Sequence, residues 1–212
     1  MSAAPRGRFI SLEGIDGAGK SSHLGAISRW LQDQGEDVVQ TREPGGTPLA
    51  ETLRDLLLNR EMDGLTEALL VFAGRRDHWR TRIAPALAQG RCVVSDRFAD
   101  ATFAYQGAGR GFDWSALQTL ESWVLDGGPG PDLTLWFDVD PATAARRRAA
   151  ARASDRLEAL DEAFFARVRD GYARRAAENP QRVVRIDAGQ PLDGVGTQVL
   201  QALQAWWPGR AR

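Results

Sequence analysis

Eight consecutive residues, Gly14-Ile15-Asp16-Gly17-Ala18-Gly19-Lys20-Ser21, fit the pattern GxxxxGK[ST]. Glycines at these spacings let the backbone wrap around an anion with successive N–H groups pointing inward, and a helix N-terminus behind them adds positive potential. In such a loop the lysine reaches the β and γ phosphates of a nucleoside triphosphate, and the Ser/Thr hydroxyl meets Mg²⁺. Lys20 is the sole lysine of the chain, every other one of the 27 basic residues being arginine. A compact point charge on a flexible stem is not interchangeable with a planar fork, which gives a chemical reason for keeping it. The stretch Gly14, Ile15, Asp16, Gly17, Ala18, Gly19, Lys20, Ser21, Ser22 is therefore the expected nucleotide-binding segment, with Ser21 as its metal-side hydroxyl. A phosphate loop alone does not distinguish a kinase from a GTPase switch or a motor ATPase.

Further charge lies where strands are expected to end. "TREPGG" carries Arg42, and "SDRFADATFAYQGAGRG" carries Arg97 and Arg110. Guanidinium forks pair phosphate oxygens bidentately, so these three arginines, gathered near one edge, suit a substrate bearing a second phosphate. The guanine-reading Asn-Lys-x-Asp signature is absent, the only asparagines being Asn59 and Asn179. That weighs against a GTPase switch. "CVVSD" ends in Asp96, which could serve as the metal-side acid of an ATPase, but Arg97 follows it at once.

These residues need a frame that brings strand ends together. Short β-branched or aromatic runs at 8–13, 37–41, 91–96, 132–139 and 182–188 alternate with helical segments, the pattern of βαβ units around a parallel sheet. The fold class expected is α/β, a three-layer P-loop arrangement with a five-stranded parallel sheet flanked by helices, in one domain. Leu24, Ile27 and Leu31 repeat at helical spacing and the helix stops at Gly35. A long helix is expected from about Thr66, kinked at Pro85, which lacks a backbone donor. Another carries Leu160, Phe164, Val168 and Tyr172 as its apolar stripe. The arginine- and alanine-rich run at 142–156 reads as a solvated helix, since both residue types favour helix.

With 27 basic and 28 acidic residues among 212, no global field recruits nucleic acid or an anionic membrane. The single cysteine, Cys92, has no disulfide partner and lies in an apolar run, so it reads as a buried strand residue in a reducing compartment. There is no apolar leader before Glu13, nor a run near the roughly 20 residues of a membrane span. The expectation is a soluble cytoplasmic protein. His23 and His78, both on helices, are expected in ordinary packing or surface roles.

"FISLEGIDGAGKSS", "TREPGGTPLAETLRDLLL" and "DRFADATFAYQGAGRG", in this order and spacing, resemble the bacterial thymidylate kinase family, as do "PDLTLWFDVDP" and "IDAGQPL". The resemblance implies transfer of the γ-phosphoryl group of ATP to dTMP, giving dTDP on the way to dTTP, with Mg²⁺ and commonly as a homodimer. Another nucleoside or nucleoside monophosphate kinase of the same fold is the nearest alternative, and a non-catalytic nucleotide switch is more distant. The resemblance places Arg97 on phosphate, Asp96 near the metal, Glu43 beside the deoxyribose and Arg54 on the monophosphate. Thr102 and Gln106 meet the thymine edge, and Tyr105 shapes the sugar pocket. Counting back from Pro85 assigns the thymine-reading arginine to Arg75, with Phe72 as the stacking ring. Phe72 with Arg76 would instead keep an i, i+4 spacing on one helix face. Ala101 stands where many family members have serine.

Some relatives carry an arginine in the phosphate loop where this chain has Gly17. The bacterial type supplies that charge from a lid, here about 146–157, with Arg152 and Arg156 the expected catalytic arginines and Arg148 next. No general base is assigned, because a phosphate oxyanion is already the nucleophile at neutral pH. Asp16 is expected to orient a metal-bound water or Arg97.

Overall fold

The computed structural model describes residues 6–149 and 161–207. Its centre is a five-stranded sheet of order β2-β3-β1-β4-β5, with every adjacent pair parallel. The strands are β1 (Phe9–Glu13), β2 (Val38–Arg42), β3 (Cys92–Asp96), β4 (Leu133–Asp138) and β5 (Val183–Asp187). β1 and β4 are buried along their whole length, as strands covered on both faces must be. Side chains alternate across the sheet. Phe9 and Val93 pack with Trp79, Ile83 and Leu87, whereas Ile10, Leu12 and Val94 join the cluster containing Ile27 and Leu31.

The helices are α1 (Lys20–Asp33), α2 (Pro48–Asn59), α3 (Gly64–His78), α4 (Ala84–Ala88), α5 (Ala99–Thr102), α6 (Trp114–Leu125), α7 (Pro141–Ala149), α8 (Glu162–Glu178) and α9 (Leu192–Trp206). Their starts are coded locally. Thr47 caps α2 by accepting from Ala50 N with Pro48 at the first position, and Asp161 caps α8 by accepting from Phe164 N. The stripe read on the last long helix is the one buried: Phe164, Val168 and Tyr172 all lie in the core, while Leu160 falls outside the described residues.

The long helix expected to kink at Pro85 changes register before it. α3 ends at His78, a π-turn runs over Trp79–Ile83 with Ala84 N donating to Trp79 O, and Pro85 sits in the first turn of α4. Proline has no amide hydrogen for the carbonyl four residues earlier, so the ladder widens upstream and the ring falls where it costs nothing. A second π segment, Phe103–Gly109, carries "AYQG" and widens the end of α5. The sequence pattern gave no sign of it.

β1 lies at the middle of the sheet between β3 and β4, so the crevice beyond its carboxyl end is where the chain order reverses. Ligands of open α/β sheets bind in such a crevice.

Candidate active site

The phosphate loop leaves β1 at Glu13 and enters α1 at Lys20. Gly17 has φ +85°, and a Cβ there would lie 3.1 Å from Arg148 Cγ and closer still to Ala144 O. The missing side chain thus has a second cause beyond the one read from sequence: α7 packs directly on the loop. Arg148 from α7 donates to Asp16 O at 2.7 Å. Lys20 is buried, its Nζ donating to Gly14 O at 3.0 Å and Ile15 O at 3.2 Å. Burial and the Arg97 cation push its pKa down, against the opposing pull of Asp96, Asp16 and Glu13.

Ser21 donates to Asp96 Oδ2 at 3.2 Å, and Asp96 Oδ1 is buried with no hydrogen-bond partner. An orphaned carboxylate oxygen beside a serine hydroxyl at the phosphate loop fits a hard cation. Mg²⁺ is usually held by one or two such groups plus substrate phosphates. Among the described residues no group of three acid, His or Cys side chains could hold a metal by itself.

Arg97, directly after β3, occupies φ +73°, a left-handed conformation that costs a non-glycine residue on the order of 1–2 kcal/mol. Its N–H donates to Leu12 O at 2.9 Å and its carbonyl accepts from Ser95 Oγ at 2.6 Å, which together hold the turn. The turn aims the guanidinium across the crevice. NH2 donates to Asp16 Oδ1 at 2.7 Å and to Tyr105 Oη at 3.2 Å, and Tyr105 donates to Asp16 Oδ2 at 3.0 Å. Burial alone would raise the Asp16 pKa, but the Arg97 and Lys20 cations outweigh it and hold the carboxyl well below its usual range. Asp16 is thus paired with Arg97 as a carboxylate.

Two chambers open from this point. The polar one is lined by the loop, including Lys20 and Ser21, with Asp96, Arg42, Arg147 and Arg148. The other has an apolar wall of Leu53, Leu57, Leu70, Val71 and Ala101 and a polar wall of Arg75, Thr102, Tyr105 and Gln106. Asp16, Glu43, Arg54 and Arg97 line both.

Glu43, cis to Pro44, is buried and accepts from Arg75 Nε at 2.7 Å. Arg75 NH2 donates to Thr102 Oγ1 at 2.8 Å and Phe98 O at 3.1 Å, while NH1 is buried with no partner in a side chain that lines the second chamber. Arg76 turns the other way, donating to Val124 O at 2.6 Å and pairing with Asp126 at 3.3 Å. Of the two registers open in the sequence, the structure places Arg75 at the chamber. It puts Val71 rather than Phe72 on the chamber wall. Phe72 packs with Phe103 and Leu117, Arg75 lying over its ring at 5.2 Å. The expectation of Phe72 as a stacking ring is corrected accordingly: α3 turns that side chain into the core.

Of the expected cluster of Arg42, Arg97 and Arg110, only Arg42 and Arg97 reach the polar chamber. Arg42 lines the polar chamber but pairs with Glu51 at 3.0 Å, and Arg110 is drawn to the buried Glu67 at 3.3 Å. Arg54 lines both chambers and donates to Pro44 O at 2.8 Å. Gln106 donates to Glu67 Oε1 at 2.9 Å. Arg152 and Arg156 lie outside the described residues.

His23 does stack on Phe137, with ring centroids 5.6 Å apart. His78 is more than packing: it is fully buried, bridging Thr41 Oγ1 at 2.6 Å and Glu43 Oε1 at 2.9 Å. Gly46 makes room for it, since a Cβ there would lie 2.6 Å from His78 Nε2. The three-residue spacing between Arg75 and His78, which puts both on one helix face, was the available signal. Glu13, Glu67 and Tyr172 were likewise missed, and no local pattern marks them.

Two chambers that share a charged wall, one of them built on a GxxxxGK[ST] loop, define the class as a P-loop phosphotransferase. A family model described as thymidylate kinase matches residues 12–199. A thymidylate kinase of Paracidovorax citrulli is 58% identical over 205 residues, covering 93% of this chain and 93% of that protein. One from Albidiferax ferrireducens is 55% identical over 206 residues, covering 94% and 96%. The crystal structure of thymidylate kinase from Ehrlichia chaffeensis superposes with a TM-score of 0.77 at 37% identity, over 94% of this chain and 100% of that one. The chain belongs to the thymidylate kinase family.

Proposed function

We propose a division of labour for ATP:dTMP phosphotransfer, the activity that family membership gives this chain. The polar chamber takes the phosphates of ATP on the 14–22 loop, and the second chamber takes dTMP. The observation that carries this reading is the wall that both chambers share, because the acceptor phosphate must meet the γ-phosphoryl group where Asp16, Glu43, Arg54 and Arg97 stand.

Arg54 and Arg97 hold the dTMP phosphate. Glu43 and Tyr105 border the deoxyribose, where a buried carboxylate leaves no space for a 2′-hydroxyl. Arg75, Thr102 and Gln106 read the thymine edge, Arg75 through the NH1 that has no protein partner. A phosphate oxygen of dTMP attacks the γ-phosphorus, the bond to the ADP bridging oxygen breaks, and the departing charge passes to ADP. Lys20 and Arg97 neutralise the charge as it moves, and no protein base is required. Ser21 and Asp96 would hold Mg²⁺, which would supply positive charge to neutralise the phosphates during transfer. Arg152 and Arg156, in the 146–157 lid of a single domain, add the charge that Gly17 cannot, and Arg148, already on Asp16 O, supports that direction.

We place the protein in the cytoplasm as a homodimer with no nucleic-acid or membrane partner. Its one cysteine is buried, its thiol pKa pushed up to about 11 by burial, which suits an inert thiol. No helix among the described residues is long and apolar enough to cross a membrane. Leu65 and Leu69 of α3 and Trp123 of α6 are exposed, an apolar surface of the kind a second copy covers.

A coupled assay across dTMP, dUMP, dCMP, dGMP and AMP tests the acceptor. dTMP is expected to give the highest kcat/KM, and a strong preference for any other monophosphate would refute this reading.

A further inference from the structure

Arg97 is gripped from two sides by residues that line neither chamber. The main chain immediately after it is fixed by Glu13, whose Oε1 accepts from Phe98 N at 2.7 Å. The guanidinium is fixed by Tyr172, whose Oη accepts from Arg97 NH1 at 2.9 Å. These two anchors are themselves joined, Tyr172 Oη lying 3.1 Å from Glu13 Oε2. The result is a closed ring: Glu13, the Phe98 amide, the Arg97 side chain, the Tyr172 hydroxyl and back to Glu13. Glu13 is 0% and Tyr172 2% exposed, and neither is among the residues lining either chamber.

The donor count shows what the ring adds. The two hydrogens on NH1 go to Gly14 O at 2.8 Å and to Tyr172, and the two on NH2 go to Asp16 and Tyr105. Asp16 and Tyr105 face the chambers and are available to ligand. Gly14 O and Tyr172 are the acceptors behind the cation, and Tyr172 is the only one of these two that a side-chain change can remove. We propose that Tyr172 and Glu13 are positioning residues for phosphoryl transfer, holding the Arg97 guanidinium in register with the phosphate it neutralises without touching substrate themselves. The proposal rests on the reading that Arg97 meets phosphate.

The test is a double-mutant cycle between Tyr172→Phe and Arg97→Lys. It is read by single-turnover phosphoryl transfer with enzyme in excess, so that low rates remain measurable, alongside the KM for dTMP and the unfolding temperature. Tyr172→Phe deletes one oxygen and leaves the ring beside Trp136, with centroids 6.5 Å apart. It is expected to lower kcat about 10-fold or more with a smaller change in KM, since a misplaced catalytic cation is felt chiefly in the transition state. In the Arg97→Lys background, where the fork is gone, the same substitution is expected to cost less than about 2-fold, because residues acting as a unit are not additive. Normal transfer by Arg97→Lys would overturn the reading of Arg97. A lowered Arg97→Lys rate with an unchanged Tyr172→Phe rate, or an equal loss in both backgrounds, would overturn the positioning role alone. Glu13 supplies a second pair of variants should Tyr172→Phe fold poorly. Glu13→Gln, which keeps an acceptor for Phe98 N and a polar group for Tyr172, is expected to retain most transfer while Glu13→Leu loses it. Equal activity of these two would also overturn the proposal.

Discussion

Arg75 and Glu43 form a buried ion pair, Nε to Oε2 at 2.7 Å with side chains 1% and 5% exposed, on the wall of the chamber assigned to dTMP. Three of the arginine's polar contacts go to protein, namely Glu43, Phe98 O and Thr102. They immobilise the fork and leave NH1 to a ligand. Such a pair specifies orientation more than it stabilises the fold, because the desolvation of both charges offsets most of their attraction.

Arg75→Gln is therefore expected to raise the KM for dTMP about 10- to 100-fold, the usual worth of a hydrogen bond to a charged group, with the KM for ATP little changed. It should also destabilise the fold, by up to roughly 3–5 kcal/mol, since Glu43 stays buried with His78 but without the Arg75 charge. Arg76→Gln, whose parent side chain faces Val124 and Asp126, should leave both KM values within about 3-fold, as expected for a residue outside the chamber. Steady-state kinetics on the two variants decide between the helix registers.

Lys20→Arg should keep the fold and lose on the order of 100-fold or more in kcat, because a planar fork cannot take the buried path of a point charge to the phosphates. Circular dichroism with single-turnover rates checks both halves. Near-normal turnover would contradict the role given to the lone lysine.

Asp96→Asn keeps the shape of the side chain and removes its charge. It is expected to raise the Mg²⁺ concentration needed for half-maximal turnover by about 10-fold or more while leaving the unfolding temperature nearly unchanged, since Oδ1 serves no protein donor. A Mg²⁺ titration of turnover reads this, and an unaltered requirement would remove Asp96 from the metal.

Glu13 gives a pH dependence with a definite sign. Burial and the neighbouring Asp100 carboxylate push its pKa from 4.5 up to about 8, against the lowering pull of Arg97 and the hydrogen bonds from Phe98 and Tyr172. A carboxyl whose folded pKa lies above its unfolded value contributes full stability below pH 4.5 and loses it progressively up to about pH 8. Glu13→Gln lacks that titration. Its stability relative to the parent should rise with pH across this window, by on the order of a few kcal/mol, and level off above it. Urea unfolding at a series of pH values tests this, and a flat difference would refute it.

Trp123 is 70% exposed on α6, and Leu65 and Leu69 on α3 are 53% and 48% exposed. Trp123→Arg should convert the proposed homodimer to a monomer in sedimentation velocity, because a charge at an apolar interface leaves an unpaired cation to desolvate. An unchanged sedimentation coefficient would place the dimer face elsewhere, or show that there is none.

How much of this was legible in the chain depends on how local the deciding physics is. The phosphate loop could be read in full, because a turn of glycines between a strand and a helix is specified by adjacent residues. The five strands could be placed to within a residue or two for a similar reason: each is a short run rich in β-branched or aromatic residues, and the covered central ones, β1 and β4, are buried throughout. Resemblance then supplied the family and the polar residues of the second chamber, including Glu43, Arg54, Thr102, Tyr105 and Gln106. The sequence could not say which way α3 faces. Counting back from Pro85 favours Arg75 while the i, i+4 spacing from Phe72 favours Arg76, and the packing of Phe72 against Phe103 and Leu117 goes with Arg75 and Val71 on the chamber wall. Nor could it show that Glu67 draws Arg110 away, that His78 stands behind Glu43, or that two helices widen to π geometry. Tyr172 and Glu13 are separated by 159 positions. Their meeting at Arg97 is decided by the folded chain, because a buried polar group takes whichever partner the sheet and its covering helices bring within hydrogen-bond reach.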